Sequence, residues 1–276
     1  MTITRRALLN TFAAGAGAAV LHRFGVHAAA AQDTDSAVLS ALRDDLRRHA
    51  GFGRKFSGGP GDRATAEWIA GRLRRAGYRV EQSEFDAPFF APRNVRFSAG
   101  AASVAVMAQA PVLTTSPAGV RGPLTLVENS VGDVRGKIAL VVAPFARHAA
   151  LFPTNGVGRT VLAAAESGAT AIVIVTTGPT GEAIALNAPE ARPFANVPTA
   201  ILAPKEAPPF VAAARTGGDA TLVVEGEATH RPCPNVVARL ERGDRWIAIS
   251  TPRSGWFDCV GERGTGTAVF LDLAPR

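Results

Sequence analysis

An α/β fold built in more than one lobe is what the order of segments predicts, and three observations carry it. Two stretches of helical spacing run into alternating, strand-like stretches. A proline- and glycine-rich link then interrupts the chain near 110–120. Beyond it, five β-rich runs are broken by helix candidates, the pattern of sheet and helix layers packed on each other.

Val38, Leu39, Leu42 and Leu46 fall at helical spacing with arginines and aspartates on the other side, which predicts an amphipathic helix over 36–49. Asp62 is a candidate N-cap before Ala64, Trp68, Ile69 and Leu73, and Gly77 a candidate C′ residue, so a second helix is expected over 63–76. Strands follow at Tyr78–Phe85, Asn94–Ser98 and Ser103–Ala108, separated by Pro88, Pro92 and Gly100. After the link containing Pro111, Pro117 and Gly119, strands are expected at Leu124–Val127, Lys137–Val142, Ala171–Val175, Thr199–Leu202 and Ala220–Val224, with helices at 158–167 and 208–215. This reads as a compact α/β insert over 119–228, carried by a host made of 32–118 and 229–276. The alternative, that the insert is an integral layer of one domain, stays open. Asn235–Leu240 and Arg245–Ser250 predict a hairpin across Glu241-Arg242-Gly243-Asp244, and a last helix is expected at 264–274.

Composition excludes several classes. With 276 residues, 47% hydrophobic and 19% charged, the chain is too apolar to be disordered. Its formal charge of +7 overstates the basic character, because Arg5, Arg6 and Arg23 precede the first acid, Asp33. No arginine cluster is interleaved with aromatic residues as a nucleic-acid groove requires, so nucleic acid is not an expected partner. Two cysteines, Cys233 and Cys259, are too few for a zinc ribbon.

The first 31 residues read as an address. Arg5 and Arg6 precede an apolar, alanine-rich stretch that ends in Ala28-Ala29-Ala30-Ala31, which resembles a twin-arginine export signal cleaved near Gln32. A Sec signal or an uncleaved anchor are the alternatives. His22 and Arg23 interrupt the apolar run, against a stable membrane span. Export to the periplasm or the extracellular space is the expectation.

A resemblance adds to this reading. Ser57-Gly58-Gly59-Pro60-Gly61-Asp62, then Ala66-Glu67-Trp68-Ile69, Leu73 and Gly77-Tyr78, resembles the start of the co-catalytic zinc exopeptidases that include aminopeptidase Y, glutamate carboxypeptidase and the transferrin receptor. Asp133-Val134-Arg135-Gly136-Lys137, Ala163-Ala164-Ala165-Glu166-Ser167-Gly168-Ala169 and Val197-Pro198-Thr199 resemble the protease-associated domain that many of them carry inserted. Asn235–Leu240 resembles the strand that returns from it. The resemblance implies part of an α/β/α exopeptidase sandwich with an inserted α/β domain, an aminopeptidase-like hydrolase family, zinc as its cofactor, and a peptide or protein ligand reached through the insert.

The metal ligands do not carry over. After Trp246-Ile247-Ala248-Ile249-Ser250 the family has a His-x-Asp turn, whereas this chain has Thr251 and Arg253. A hydroxyl and a guanidinium do not replace imidazole and carboxylate on zinc. Glu262, in Gly261-Glu262-Arg263-Gly264-Thr265-Gly266, stands where the family has its bridging carboxylate, but Arg263 beside it adds positive charge; the alternative is a solvated or arginine-paired glutamate at a helix start. The family's remaining ligands would fall beyond Arg276, so the resemblance implies an incomplete domain, aggregation-prone or in need of a partner. Catalytic residues are therefore assigned to none, and no zinc is expected on this chain. Two readings follow: a binding pseudo-enzyme or gene fragment, and a dizinc hydrolase completed by another chain.

Other chemistries lack their parts. There is no Gly-x-Ser-x-Gly elbow for a serine hydrolase and no Walker or dinucleotide fingerprint. Cys259 has no evident activating histidine, so packing or a disulfide to Cys233 is its expected role. His49, His148 and His230 are read as surface or capping residues, and Trp256-Phe257 as packing beneath a loop.

Overall fold

The computed structural model describes residues 21–128, 130–145, 150–189 and 191–275. Arg5 and Arg6, expected to belong to an export signal, and His148 lie outside them. The α/β class is as expected: five helices and a mixed eight-stranded sheet of order β2-β1-β8-β4-β5-β6-β7-β3 among the described residues.

Short apolar runs bounded by turn residues became the parallel centre of the sheet. β4 (Val120–Val127), β5 (Ile138–Val142), β6 (Ala171–Val175) and β7 (Thr199–Leu202) pair in parallel, in that order. Alternate residues supply two cores. Leu140 and Val173 face one side, where Phe210 of α4 (Pro208–Arg215) stacks on Phe97 at 4.7 Å between ring centroids. Val141, Ile172 and Ile174 face the other, where Val161 and Ala164 of α3 (Gly156–Glu166) cover them. A strand buried on both faces must be apolar at every position, which is why these segments read as continuous hydrophobic runs.

The ribbon that joins this lobe to the helices differs from expectation. β1 (Arg79–Ala99) and β8 (Asp219–Arg239) are single strands of 21 residues each, antiparallel from Arg79↔Arg239 to Ala99↔Ala220. Prolines 88 and 92 break the sequence pattern without breaking the strand. Over that stretch β1 pairs only with β8, because β2 (Ala102–Ala105) joins only from Arg96 on. A strand with one free edge tolerates residues that lack an N–H. The register shifts once, between Pro92 and Asn94, as a bulge permits. β2, β3 (Met107–Ala108) and the end of β1 thus lie in the same sheet as β4 to β7, and Phe97 and Ala99 share a core with them.

The other end of the ribbon carries the helices. α1 (Leu21–Gly51) runs well ahead of the expected start at 36. α2 starts at Pro60 and ends at Arg75, three residues before the expected start, with Gly59 rather than Asp62 as its N-cap. Proline at the first helical position has a φ suited to the helix and lacks an N–H that would be orphaned there. Asp62 sits inside the first turn, fully buried, and its Oδ2 accepts the Gly58 N–H at 3.0 Å. Trp68, Ile69 and Leu73 of α2 pack with Leu271 of α5 (Thr265–Leu273) and with Tyr78, Val80 and Val236 of the ribbon.

Gly61 marks the tightest approach in this lobe. A Cβ there would lie 2.2 Å from the Arg54 carbonyl oxygen and 2.5 Å from that of Phe52. Gly61→Ala is expected to lose about 2 kcal/mol of stability, since backbone must shift to admit the methyl group. Urea unfolding at neutral pH checks this, and an unchanged midpoint contradicts it.

The hairpin expected from Arg245–Ser250 is not formed. Residues 240–258 hold no strand, and Trp246, Ile247 and Ile249 are 73%, 86% and 58% exposed. The composition is that of a strand, but pairing is a tertiary property, and no described strand lies alongside.

Candidate functional site

The turn after Ser250 is held from three directions. Gly255 N–H donates to the Lys55 carbonyl at 2.8 Å, and Lys55 N–H donates to Phe257 O at 2.9 Å, so 255–257 runs beside the segment before α2. Arg253 reaches inward. Its Nε donates to Asp62 Oδ1 at 2.8 Å, and its Nη2 donates to the Pro234 carbonyl of β8. The two side chains are 13% and 0% exposed, so this is a buried ion pair. Beyond it, the Trp256 indole N–H donates to Asn187 Oδ1 at 2.8 Å, tying the loop to the larger lobe, and its ring meets Phe56 edge-on at 6.3 Å. Trp256 is thus a tether between lobes rather than packing alone.

Thr251 and Glu262 take other partners. The Thr251 hydroxyl faces the start of α5, 2.9 Å from where a Cβ on Gly266 would sit. Glu262 is exposed and pairs with Arg263 at 2.9 Å, while Arg263 Nε donates to Ser254 O at 3.1 Å. The glycine-rich turn is a π-turn, Val260–Gly264, in which both Arg263 and Gly264 N–H groups converge on the Cys259 carbonyl. Cys259 enters it in the left-handed region, at φ 50°.

This donor set does not fit a divalent metal. A metal here would meet a hydroxyl and two guanidiniums, Arg253 and Arg263, each already bound to a carboxylate. Zinc requires imidazole, thiolate or free carboxylate, and arginine cannot give up its proton. No group of three or more His, Cys, Asp or Glu residues with metal-binding geometry occurs among the described residues.

Both cysteines are buried and free, not joined to each other. Cys233 lies on β8 against Gly58, whose Cβ position would be 3.0 Å from its sulfur. Burial pushes its thiol up, and the Asp62 carboxylate adds to this, so it has little nucleophilic character.

Two residues that sequence reasoning missed lie beneath the turn. Lys55 is fully buried, and its ammonium donates to three carbonyls: His49 at 2.9 Å, Asp258 at 3.3 Å and Gly53. Burial lowers its pKa, opposed by Asp258 and Cys259 nearby. His49, expected at the surface, is also fully buried, and neither ring nitrogen has a hydrogen-bond partner. Burial first, and the Lys55 charge second, lower its pKa to about 4. Leu42, Leu46 and His49 fall at i, i+4 and i+7, so helical spacing already put His49 on the apolar stripe. His230, by contrast, is exposed on the ribbon.

A groove of about 970 Å3 opens beside the turn, between β8, the 245–254 segment, α2 and α5. Val237, Trp246, Ile247 and Ile249 line it, with Leu273 at its α5 side.

Helices on one end of a mixed sheet, with an α/β lobe on a long ribbon and a turn next to a groove, define a mixed α/β architecture, and solved structures of aminopeptidases share it. The chain is similar in fold to an aminopeptidase from Aneurinibacillus sp. strain AM-1, with TM-score 0.58 and 19% identity over 86% of this chain and 58% of that one. A zinc aminopeptidase from Bacillus subtilis gives TM-score 0.64 and 16% identity over 86% of this chain and 56% of that one. A peptidase precursor from Shewanella amazonensis SB2B gives 0.50 and 19%, over 73% and 52%. The chain therefore spans little more than half the length of the structures it resembles. No protein-family model and no curated protein matches it in sequence. The fold is that of part of a zinc aminopeptidase.

Proposed function

We propose that this chain is an exported, non-hydrolytic relative of the zinc aminopeptidases that acts by binding a peptide or protein. One observation carries the reading: the turn expected to hold the first metal ligands instead holds Arg253, whose guanidinium is committed to buried Asp62 at 2.8 Å. A fixed positive charge in that turn opposes a pair of dications, and the carboxylates of Asp62 and Glu262 are both already paired with arginines. The twin-arginine-type leader with Arg5 and Arg6 supports export. No described helix is long and apolar enough to cross a membrane. The groove supports binding better than the larger lobe does, where the cavity by Gln109 and Phe194 has about 10 Å3, room for one water at most.

The second reading is a dizinc aminopeptidase completed by another chain, supported by the fold shared with a zinc aminopeptidase. Zinc content separates the two. Purified protein dialysed against zinc and then metal-free buffer is expected to keep a substoichiometric amount and to release no amino-terminal residue from an aminoacyl chromogenic substrate. Two retained zinc ions with turnover, the signature of a co-catalytic site, would overturn the non-hydrolytic reading.

A further inference from the structure

We propose that His49 and Lys55 form an acid-sensitive latch. Protonation of the buried imidazole parts the end of α1 from the 255–264 turn and releases the Trp256 tether to the larger lobe. The geometry is that of a closed stack. The His49 ring is fully buried, with its Nδ1 3.0 Å from where a Cβ on Gly264 would sit, so the π-turn lies directly on it. Neither ring nitrogen has a hydrogen-bond partner. The Lys55 ammonium donates to the carbonyl of the same histidine at 2.9 Å and to the Asp258 carbonyl at 3.3 Å, so it joins the end of α1 to the turn. From there the backbone carries the connection. Lys55 N–H donates to Phe257 O at 2.9 Å and Gly255 N–H to Lys55 O at 2.8 Å. Trp256, held between these two bonds, donates its indole N–H to Asn187 Oδ1 at 2.8 Å.

Charge makes this stack respond to acid. A proton on the ring adds an imidazolium to a site that already holds a buried ammonium, with no acceptor in place for either ring N–H. A buried ion without a partner is costly, and water reaches this one only when the turn lifts. Lys55 is the charged group that acts on the ring, whereas Asp258 and Cys259 of the turn and Asp62 of α2 act on Lys55, and Asp62 is already bound to Arg253. Asp45, one turn back on α1, is paired with Arg72 at 2.7 Å, and Glu262 of the π-turn with Arg263 at 2.9 Å. On α5, buried Thr267 is uncharged and Asp272 lies more than two turns beyond Gly264. With the turn lifted, the imidazole meets water and regains its ordinary pKa of 6.5, against about 4 in the closed stack, so acid favours the lifted form. Its proportion rises about tenfold for each pH unit below 6.5 and levels off near pH 4, about 300-fold in all.

The latch is independent of the binding role proposed above and holds under either reading of the function. Hydrogen exchange of the full chain, corrected at each pH for the intrinsic exchange rate, reads the lifted form directly. Between pH 6.5 and 4 the Lys55 and Gly255 amides and the Trp256 indole N–H are expected to lose protection together, about tenfold per unit. The Ala143 and Ile172 amides, bonded within the larger lobe, are expected to stay at least roughly tenfold better protected than these at pH 4.5. His49→Leu is expected to make the protection of Lys55 and Gly255 independent of pH. His49→Gln, polar but without a titrating ring, is expected to do the same and serves where leucine is not accommodated. Constant protection in the parent, an equal fall in these variants, or a fall that spares Trp256 overturns the latch. So does loss of protection at Ala143 and Ile172 to the same level, which would assign the acid response to unfolding of the whole chain.

Discussion

Arg253→Met is expected to lower the unfolding free energy of the helical lobe by about 3–5 kcal/mol, because it strips the counter-charge from a carboxylate that has no access to water. Asp62 is 0% exposed and keeps only the Gly58 N–H once Arg253 is gone. The same change frees the Pro234 carbonyl, so the turn, α2 and β8 lose their common clasp together. Removing both charges is milder. Asp62→Asn combined with Arg253→Met is expected to fall well short of the summed single effects, by about 1–3 kcal/mol of coupling, since no unpaired ion remains. Urea unfolding followed by tryptophan fluorescence reads this out, as Trp68, Trp246 and Trp256, the chain's three tryptophans, all belong to this part of the molecule. A loss below about 1 kcal/mol, the value of an exposed pair, would contradict a buried clasp and with it the main obstacle to metal in the turn.

The parallel centre of the sheet was largely legible in the sequence, and the ribbon and the turn were not. Ala171–Val175 and Thr199–Leu202 match their strands to the residue, and 208–215 matches α4, because each is an apolar run closed off by turn residues or prolines. Local pattern suffices where every position of a strand is buried. The ribbon reads as separate pieces because Pro88, Pro92, Pro232 and Pro234 interrupt it, and only the pairing shows that both strands have a free edge there. The Arg253–Asp62 pair joins residues 191 apart in the chain, and nothing in either neighbourhood announces it. Lys55 was equally hidden: lysine is seldom buried, and of the three carbonyls that hold its ammonium two are local and the third, Asp258, is 203 residues away. Asp62, read as a cap, proved to be part of the site for the same reason: its first partner, Gly58, is local and its second is not.

His49 makes the helical lobe acid-sensitive, and the direction follows from its depressed pKa. An unfolded histidine titrates near 6.5, whereas in the fold burial and the Lys55 charge lower it to about 4. Above pH 6.5 the ring is neutral in both states and contributes no pH dependence. Between 6.5 and 4 the unfolded chain takes up a proton that the native state refuses, so stability falls by about 1.4 kcal/mol per pH unit. The loss levels off below pH 4, once the native ring is protonated too, at a total on the order of 3 kcal/mol. There is no room for the ring to escape, because Nδ1 lies 3.0 Å from the Cβ position of Gly264 and the ammonium of Lys55 holds the His49 carbonyl. His49→Leu keeps an apolar side chain on the stripe of Leu42 and Leu46 and removes the titrating group. It also removes an imidazole N–H buried without a partner, which costs about 1–3 kcal/mol where it stands and offsets what the smaller side chain loses in packing. The stability of the variant relative to the parent is therefore expected to rise by about 3 kcal/mol from pH 7 to pH 4, with little difference at neutral pH. Urea midpoints measured every half unit of pH resolve this, and parallel curves for the two proteins would mean that His49 takes its proton inside the fold as readily as outside it.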